Sequence, residues 1–250
     1  GREDIVARKL YGDMMLHLSY PDEALEFYEE VLRLAPHRTD ILERLGHLYR
    51  SLQRWDDAAK AFEAWTYYEP TNPQVLILLG EVYWESGREK EAHDVWQNLI
   101  KIDRLNPSLY LELATVFYDY YANREAVGAI LSGREVLKDP SFAAFEMGVL
   151  REEEGELGAA LLEYLGAIDK KDRDYGEVAK IKEHFLKLAR RGLINDINAA
   201  FRHVFMVEKT GLELYFFAAD LFFALEDAPA GEEILLDAGR KGWSKVSAGP

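Results

Sequence analysis

The sequence predicts an all-α fold, a solenoid of stacked antiparallel helix pairs, and three observations carry that prediction. Ala24, Ala58, Ala92, Ala126 and Ala160 recur at a fixed spacing of 34 residues. A small residue precedes each by 12 positions: Gly12, Gly46, Gly80, Ala114 and Gly148. Self-similarity at a period of about 20 to 50 residues marks an array of supersecondary units, each too small to bury its apolar face alone. Proline-bearing breaks punctuate the same frame at Ala35-Pro36, Glu69-Pro70-Thr71-Asn72-Pro73 and Leu105-Asn106-Pro107. Proline lacks the amide donor that a helix interior needs and restricts the residue before it, so helices stop there.

The elements follow in order. In the first three units, residues 5–38, 39–72 and 73–106, the turns Ser19-Tyr20-Pro21-Asp22, Ser51-Leu52-Gln53-Arg54 and Ser86-Gly87-Arg88 separate a first helix from a second. Units four and five, 107–140 and 141–174, hold the frame with Leu113, Phe117 and Ala126, then Gly148, Ala160 and Tyr164. After residue 174 the pattern degrades, and Ile194 stands where the next alanine is due. Residues 175–244 are expected to form two divergent helix pairs, near 175 to 208 and 211 to 242, with Ala218 and Ala230 in the small-residue roles and 245–250 as a tail. A separate small helical domain is the alternative. Leu214 to Leu225 holds one charge in twelve residues, which predicts a helix buried on all sides. Solenoid ends carry a polar cap, and Gly242 to Pro250 is too short to be one. Either the chain continues or this end docks onto another subunit.

Residues 39–72 read Leu45-Gly46, Tyr49, Ala58, Phe62 and Pro70. The unit resembles the tetratricopeptide repeat family, whose pattern has a large apolar residue, Leu-Gly, Tyr, Ala, an aromatic and Pro at these offsets. Leu42 replaces the first aromatic. The next unit has Leu76, Leu79-Gly80, Tyr83, Ala92 and Trp96, with Arg104 in the place of the proline. The first keeps Gly12, Ala24, Tyr28 and Pro36, with Arg8, Tyr11 and Met15 departing. The resemblance spans residues 5 to 174, is similar to bacterial members, and implies a right-handed superhelix of about seven repeats. It also implies that the small residue of each first helix faces the alanine of the second, so that the backbones approach closely.

The resemblance further implies a peptide or partner helix bound along a concave groove made by the first helices. Carried residue by residue onto this sequence, the groove contains Glu43, His47, Ile77, Glu81, Trp84, Leu111, Tyr118 and Phe145. Its early part is charged and its middle is apolar and aromatic, and aromatic side chains are favoured anchors at interfaces. The expected ligand is a peptide or helix with apolar anchors and a basic flank, and the expected function a non-enzymatic scaffold or adaptor. Two alternatives stand beside it. These residues are covered as core, or the chain is an architectural subunit that self-associates or joins a larger complex through its array ends, the C-terminal repeats included. Family members that hold a chaperone carboxylate place cations on the first helices; here Asp13, Glu43 and Glu81 disfavour that ligand.

Composition narrows the function further. With 48% hydrophobic residues the chain has the material for a core, and no apolar run reaches the roughly 18 residues that span a bilayer. Gly1-Arg2-Glu3-Asp4 has neither the basic start nor the apolar core of a signal peptide, which leaves a soluble cytoplasmic or periplasmic protein as the expectation. The absence of cysteine excludes disulfides and thiolate chemistry. A formal charge of −15 disfavours nucleic acid, because phosphate contacts need cations. Between Val178 and Lys209 the balance reverses, with seven basic residues against three acidic, either as a solvated helix face or as a docking patch. The six histidines form no H-E-x-x-H pair, and no phosphate loop or nucleophile elbow occurs, so neither enzyme chemistry, cofactor nor metal is expected.

Ala92→Leu is expected to overpack its helix pair and cost about 1–3 kcal/mol. An unchanged melting temperature would contradict the repeat assignment.

Overall fold

The computed structural model describes residues 2–169, 175–206 and 210–242, and among them every regular element is a helix. The chain forms two compact units, Gly1–Ala122 and Asn123–Pro250. The first contains α1 (Arg2–His17), α2 (Pro21–Leu34), α3 (Thr39–Ser51), α4 (Trp55–Tyr68), α5 (Pro73–Glu85), α6 (Glu89–Trp96), α7 (Leu99–Ile102) and α8 (Pro107–Asp119). The second contains α9 (Asn123–Leu137), α10 (Ala144–Glu153), α11 (Leu157–Ile168), α12 (Tyr175–Arg190), α13 (Ile194–Phe205), α14 (Leu212–Ala224) and α15 (Ala228–Gly242). Residues 170–174 at the end of the fifth unit, Lys209 and the tail 245–250 lie outside the described residues.

Helices pair in sequence, α1 with α2, α3 with α4, α5 with α6, α10 with α11 and α14 with α15. Amphipathic spacing buries one face of each, and asparagine caps the starts of α5 and α8, where Asn72 and Asn106 accept from the amides of Gln74 and Ser108 at 3.0 Å.

The small residue of the first helix does a different job from the one expected. Gly12, Gly46, Gly80 and Gly148 each lie against an aromatic ring sixteen residues further on: Tyr28, Phe62, Trp96 and Tyr164. A Cβ on Gly12 would stand 2.7 Å from Tyr28 Cε1, and on the other three it would intrude further. The nearest neighbours are ring atoms, not the alanine twelve residues on. Ala24, Ala58, Ala92 and Ala160 are themselves fully buried. The glycine therefore admits a ring between the paired helices, which is the close approach its missing side chain permits. Position four of the series has Ala114 and, sixteen residues later, Ile130, so the chain that lacks the ring there also lacks the glycine.

Turns between paired helices repeat as well. Ser19, Gln53, Gly87, Tyr121 and Gly155 all have left-handed backbone, at φ 64, 57, 80, 60 and 81°. The same conformation returns at Gly192 and Glu226, again 34 residues apart, after a step of 37. The period is thus shifted by three residues and then resumes. Counted from these turns, Ala219 and Gly231 take the small-residue places expected for Ala218 and Ala230.

A polar contact joins successive pairs in the first unit. Tyr49 on α3 donates its hydroxyl to Glu29 on α2 at 2.5 Å, and Tyr83 on α5 donates to Glu63 on α4, both displaced by 34. Arg54 and Arg88 lie over the two rings, 4.6 and 4.2 Å from their centroids. Burial and then the carboxylate push the Tyr83 phenol up to about 12 and raise Tyr49 likewise. Gln97, Phe117 and Ala122 occupy the next set of places, and there the contact becomes aromatic: Trp96 meets Phe117 edge-on at 5.8 Å.

In the second unit, Tyr164, Phe185, Phe201, Phe217 and Phe222 centre one core contributed by α11 to α14. The even apolarity of α14 does not bury it on all sides. Phe216 and Phe223 remain 52% and 42% exposed, although Phe223 lies against Gly231 of α15, whose Glu232 and Glu233 face outward.

Gly80→Ala is expected to destabilise the protein by about 1–3 kcal/mol despite alanine's better helix propensity, since the new methyl meets the indole of Trp96. Chemical unfolding of Gly80→Ala, Trp96→Ile and the double variant measures the coupling. The double variant, which copies the Ala114 and Ile130 combination, should lose less than the sum of the two; additive losses would disprove the ring contact.

Candidate functional site

The buried sides of α3 and α5 face their pairing partners and neighbours, and α8 packs against α7, which leaves one stripe on each for other work. On α5 that stripe is Ile77, Glu81 and Trp84, all half-buried. Trp84 stacks on His93 at 5.7 Å with the planes 9° apart and leans on Tyr120 at 5.4 Å. Tyr120, just past α8, stacks in turn on Trp96 at 5.1 Å. Trp96 donates its indole N–H to the Ile77 carbonyl at 3.1 Å. One rigid group of rings therefore bridges α5, α6 and α8.

The charge beside these rings is shared. Arg50 on α3 reaches Glu81 at 2.5 Å and forks onto both oxygens of Glu85, one of them at 2.8 Å. The two carboxylates raise the guanidinium pKa, with the Glu85 hydrogen bonds the largest cause. Two acids and one arginine leave a net charge of −1. Burial, and after it the charge of Glu81, pushes the Tyr120 phenol up to about 12.

The other expected groove residues fall in several places. Glu43 is half-buried on α3, and the exposed His47 lies edge-on to Phe62 at 5.7 Å. Leu111 is half-buried on α8, where Tyr118 is 36% exposed. Phe145 belongs to the second unit, half-buried on α10 against Tyr164 at 5.7 Å. Glu152, two helical turns beyond Phe145 on α10, accepts from His184 at 2.6 Å and from the Tyr164 hydroxyl at 3.2 Å.

Two participants escape a reading by repeat position alone: His93 and Tyr120 lie off the first-helix face, whereas Arg50 occupies a groove position of its unit. A further stripe becomes visible once the shifted period is known. The buried residues of α14, Leu214, Tyr215, Phe217, Ala218, Ala219, Leu221 and Phe222, match those of α5 one for one. Phe216, Asp220 and Phe223 then stand where Ile77, Glu81 and Trp84 stand. Lys182 on α12 pairs with Asp220 at 2.5 Å, and a cavity of about 480 Å³ opens between these helices beside Val178 and Phe216. On the basic segment, Lys187 pairs with Glu183 at 2.9 Å.

Among the described residues no helix is long and apolar enough to cross a membrane, and no group of three or more His, Asp or Glu side chains is arranged to hold a metal ion.

Comparison with known proteins finds a family model that matches part of the chain and several similar structures. Residues 20–70 match the model of the family described as Tetratricopeptide repeat. Tetratricopeptide repeat protein 21A of Homo sapiens is 34% identical over 55 residues, 22% of this chain and 4% of that much longer protein. The crystal structure of MamA protein is similar at 20% identity, with 69% of this chain and 94% of that one covered and a TM-score of 0.47. A tetratricopeptide repeat protein from Parabacteroides merdae is 14% identical over 98% of this chain and 96% of its own, with a TM-score of 0.48.

Removing the ring that shields Tyr120 should return its phenol from about 12 toward the ordinary value of about 10. Titration of tyrosinate absorbance, taken as the difference from Tyr120→Phe, reads this in Trp84→Ala. No shift would mean that Trp84 does not cover Tyr120.

Proposed function

We propose, from the premise that this chain is a tetratricopeptide-repeat protein, that it is a non-enzymatic scaffold whose first-helix face binds an extended peptide or helix with bulky apolar anchors and a basic flank. The observation that carries this reading is the Trp84 ring, half-buried and fixed by His93, Trp96 and Tyr120, beside a carboxylate pair that one arginine only partly neutralises. A ring already immobilised loses little conformational freedom on binding, which is what makes aromatic side chains effective anchors. Ile77, Leu111 and the exposed Tyr118 supply apolar surface for an anchor, and Glu43, Glu81 and Glu85 supply the charge for its flank. In this reading the five regular units, 5–38 through 141–174, and the two divergent pairs over 175–244 each contribute a first-helix face of this kind.

A peptide array that varies anchor size and flanking charge tests the reading. Sequences with Leu, Phe or Trp anchors beside Lys or Arg should bind best. Trp84→Ala and Tyr118→Ala should each weaken binding about tenfold or more, equivalent to ~1.4 kcal/mol or above, while Glu81→Gln should remove the preference for the basic flank. Equal binding by all three variants would overturn it.

A further inference from the structure

Arg50, in the last turn of α3, reaches across to Glu81 and Glu85, which stand one turn apart on α5 with Trp84 between them in the sequence. All three of its guanidinium nitrogens are engaged. Nε and one terminal nitrogen donate to the two Glu85 oxygens, and the other terminal nitrogen donates to Glu81. A planar fork of N–H donors fills paired carboxylates in this way, whereas an ammonium group meets them only as a point charge. Arg50 also acts on the Tyr120 hydroxyl, through its charge and a hydrogen bond.

The repeat stacks without this triad. The places of Arg50, Glu81 and Glu85 hold Leu16, His47 and Ser51 one unit earlier, Trp84, Thr115 and Asp119 one unit later, and Tyr118, Val149 and Glu153 after that. None of these sets combines a cation with two acids. Nor is the triad a strong tie: its three side chains keep 22 to 29% of their surface exposed, and ion pairs that compete with water contribute little to stability. A contact that the architecture does not need, placed beside the Trp84 ring, points to a role on the binding face.

We propose that Arg50 is an internal stand-in for the ligand, seated where a ligand arginine goes, and that binding exchanges one guanidinium for the other. The inference rests on the peptide-binding reading of the first-helix face and narrows it, since the basic flank becomes arginine in preference to lysine. It also accounts for selectivity. While Arg50 is seated, the two carboxylates and one arginine carry −1 in place of −2, so a stray cation gains little by approaching. An arginine tethered to an apolar anchor on Trp84 or Tyr118 arrives at high effective concentration with the same fork, and displaces it. Arg50 then sets which basic group is accepted.

A peptide with Leu and Phe anchors beside one arginine tests the exchange, alongside otherwise identical lysine and uncharged citrulline versions. The unaltered chain should bind the arginine peptide best. Arg50→Met, with unchanged helical circular dichroism, should bind it about tenfold tighter and the citrulline peptide no tighter, because only a cation gains from the vacated carboxylates. Nuclear magnetic resonance of the unaltered chain with nitrogen-15 arginine reads the displaced group directly. The Arg50 Nε signal, identified by its loss in Arg50→Lys, should move to the position of a solvated arginine when the arginine peptide binds. This signal decides the exchange whether or not Arg50→Met folds. Binding that leaves the signal in place overturns the exchange, as does a folded Arg50→Met that binds the arginine peptide no tighter; the groove reading survives either result. Absence of binding by every peptide to both chains would remove the groove reading, and the exchange with it.

Discussion

The fit of an aromatic ring against a glycine backbone is the contact on which the rest of this structure depends. In Gly12 and Tyr28, Gly46 and Phe62, Gly80 and Trp96, and Gly148 and Tyr164, a ring fills the space that a Cβ would take. Tight interiors tolerate neither a void nor an added methyl group, so the ring fixes both the separation and the axial register of each helix pair. Once that register is set, the 34-residue period determines which residues meet the next pair. The tyrosine–glutamate–arginine contacts repeat because the geometry beneath them repeats.

That packing also decides what is left over. With two sides of α5 committed to its partner and its neighbours, the residues Ile77, Glu81 and Trp84 share the remaining stripe. Their environment comes from elsewhere, from Arg50 on α3, His93 on α6 and Tyr120 past α8. The face is a property of several helices at once, and its chemistry is partly consumed by the protein's own contacts. The arginine that meets two carboxylates is the clearest case, since it holds the acidic part of the face in place and reduces its charge.

The helical class and the pairing of helices were legible in the sequence, because a period of 34 residues with glycine and alanine at fixed offsets admits few other folds. What the glycine accommodates was not, since the offset to the alanine is as regular as the offset to the ring and only the side-chain volumes distinguish them. The resumption of the period after a three-residue shift was hidden for a related reason. Its marks are backbone conformations, carried by Gly192 and by Glu226, whose residue types share nothing. The repeat places assigned Trp84 and Glu81 to one stripe of α5, where both are half-buried. Tyr120 and His93 were not identifiable in this way, because they reach that neighbourhood from positions that normally face elsewhere.

Left-handed turns at Ser19, Gln53, Tyr121 and Glu226 have a consequence for how the chain behaves when packing is disturbed. Side chains other than glycine disfavour that conformation by about 1–2 kcal/mol, so at these four places the turn is held by the helices on either side of it and not by the residue itself. Each is a small spring, compressed while its helix pair stays together. Loss of one pair releases the spring and adds a local incentive to separate, whereas Gly87, Gly155 and Gly192 hold the same shape without tension. The turns are therefore uneven along the chain, mixing joints that would let go abruptly with joints that would yield gradually.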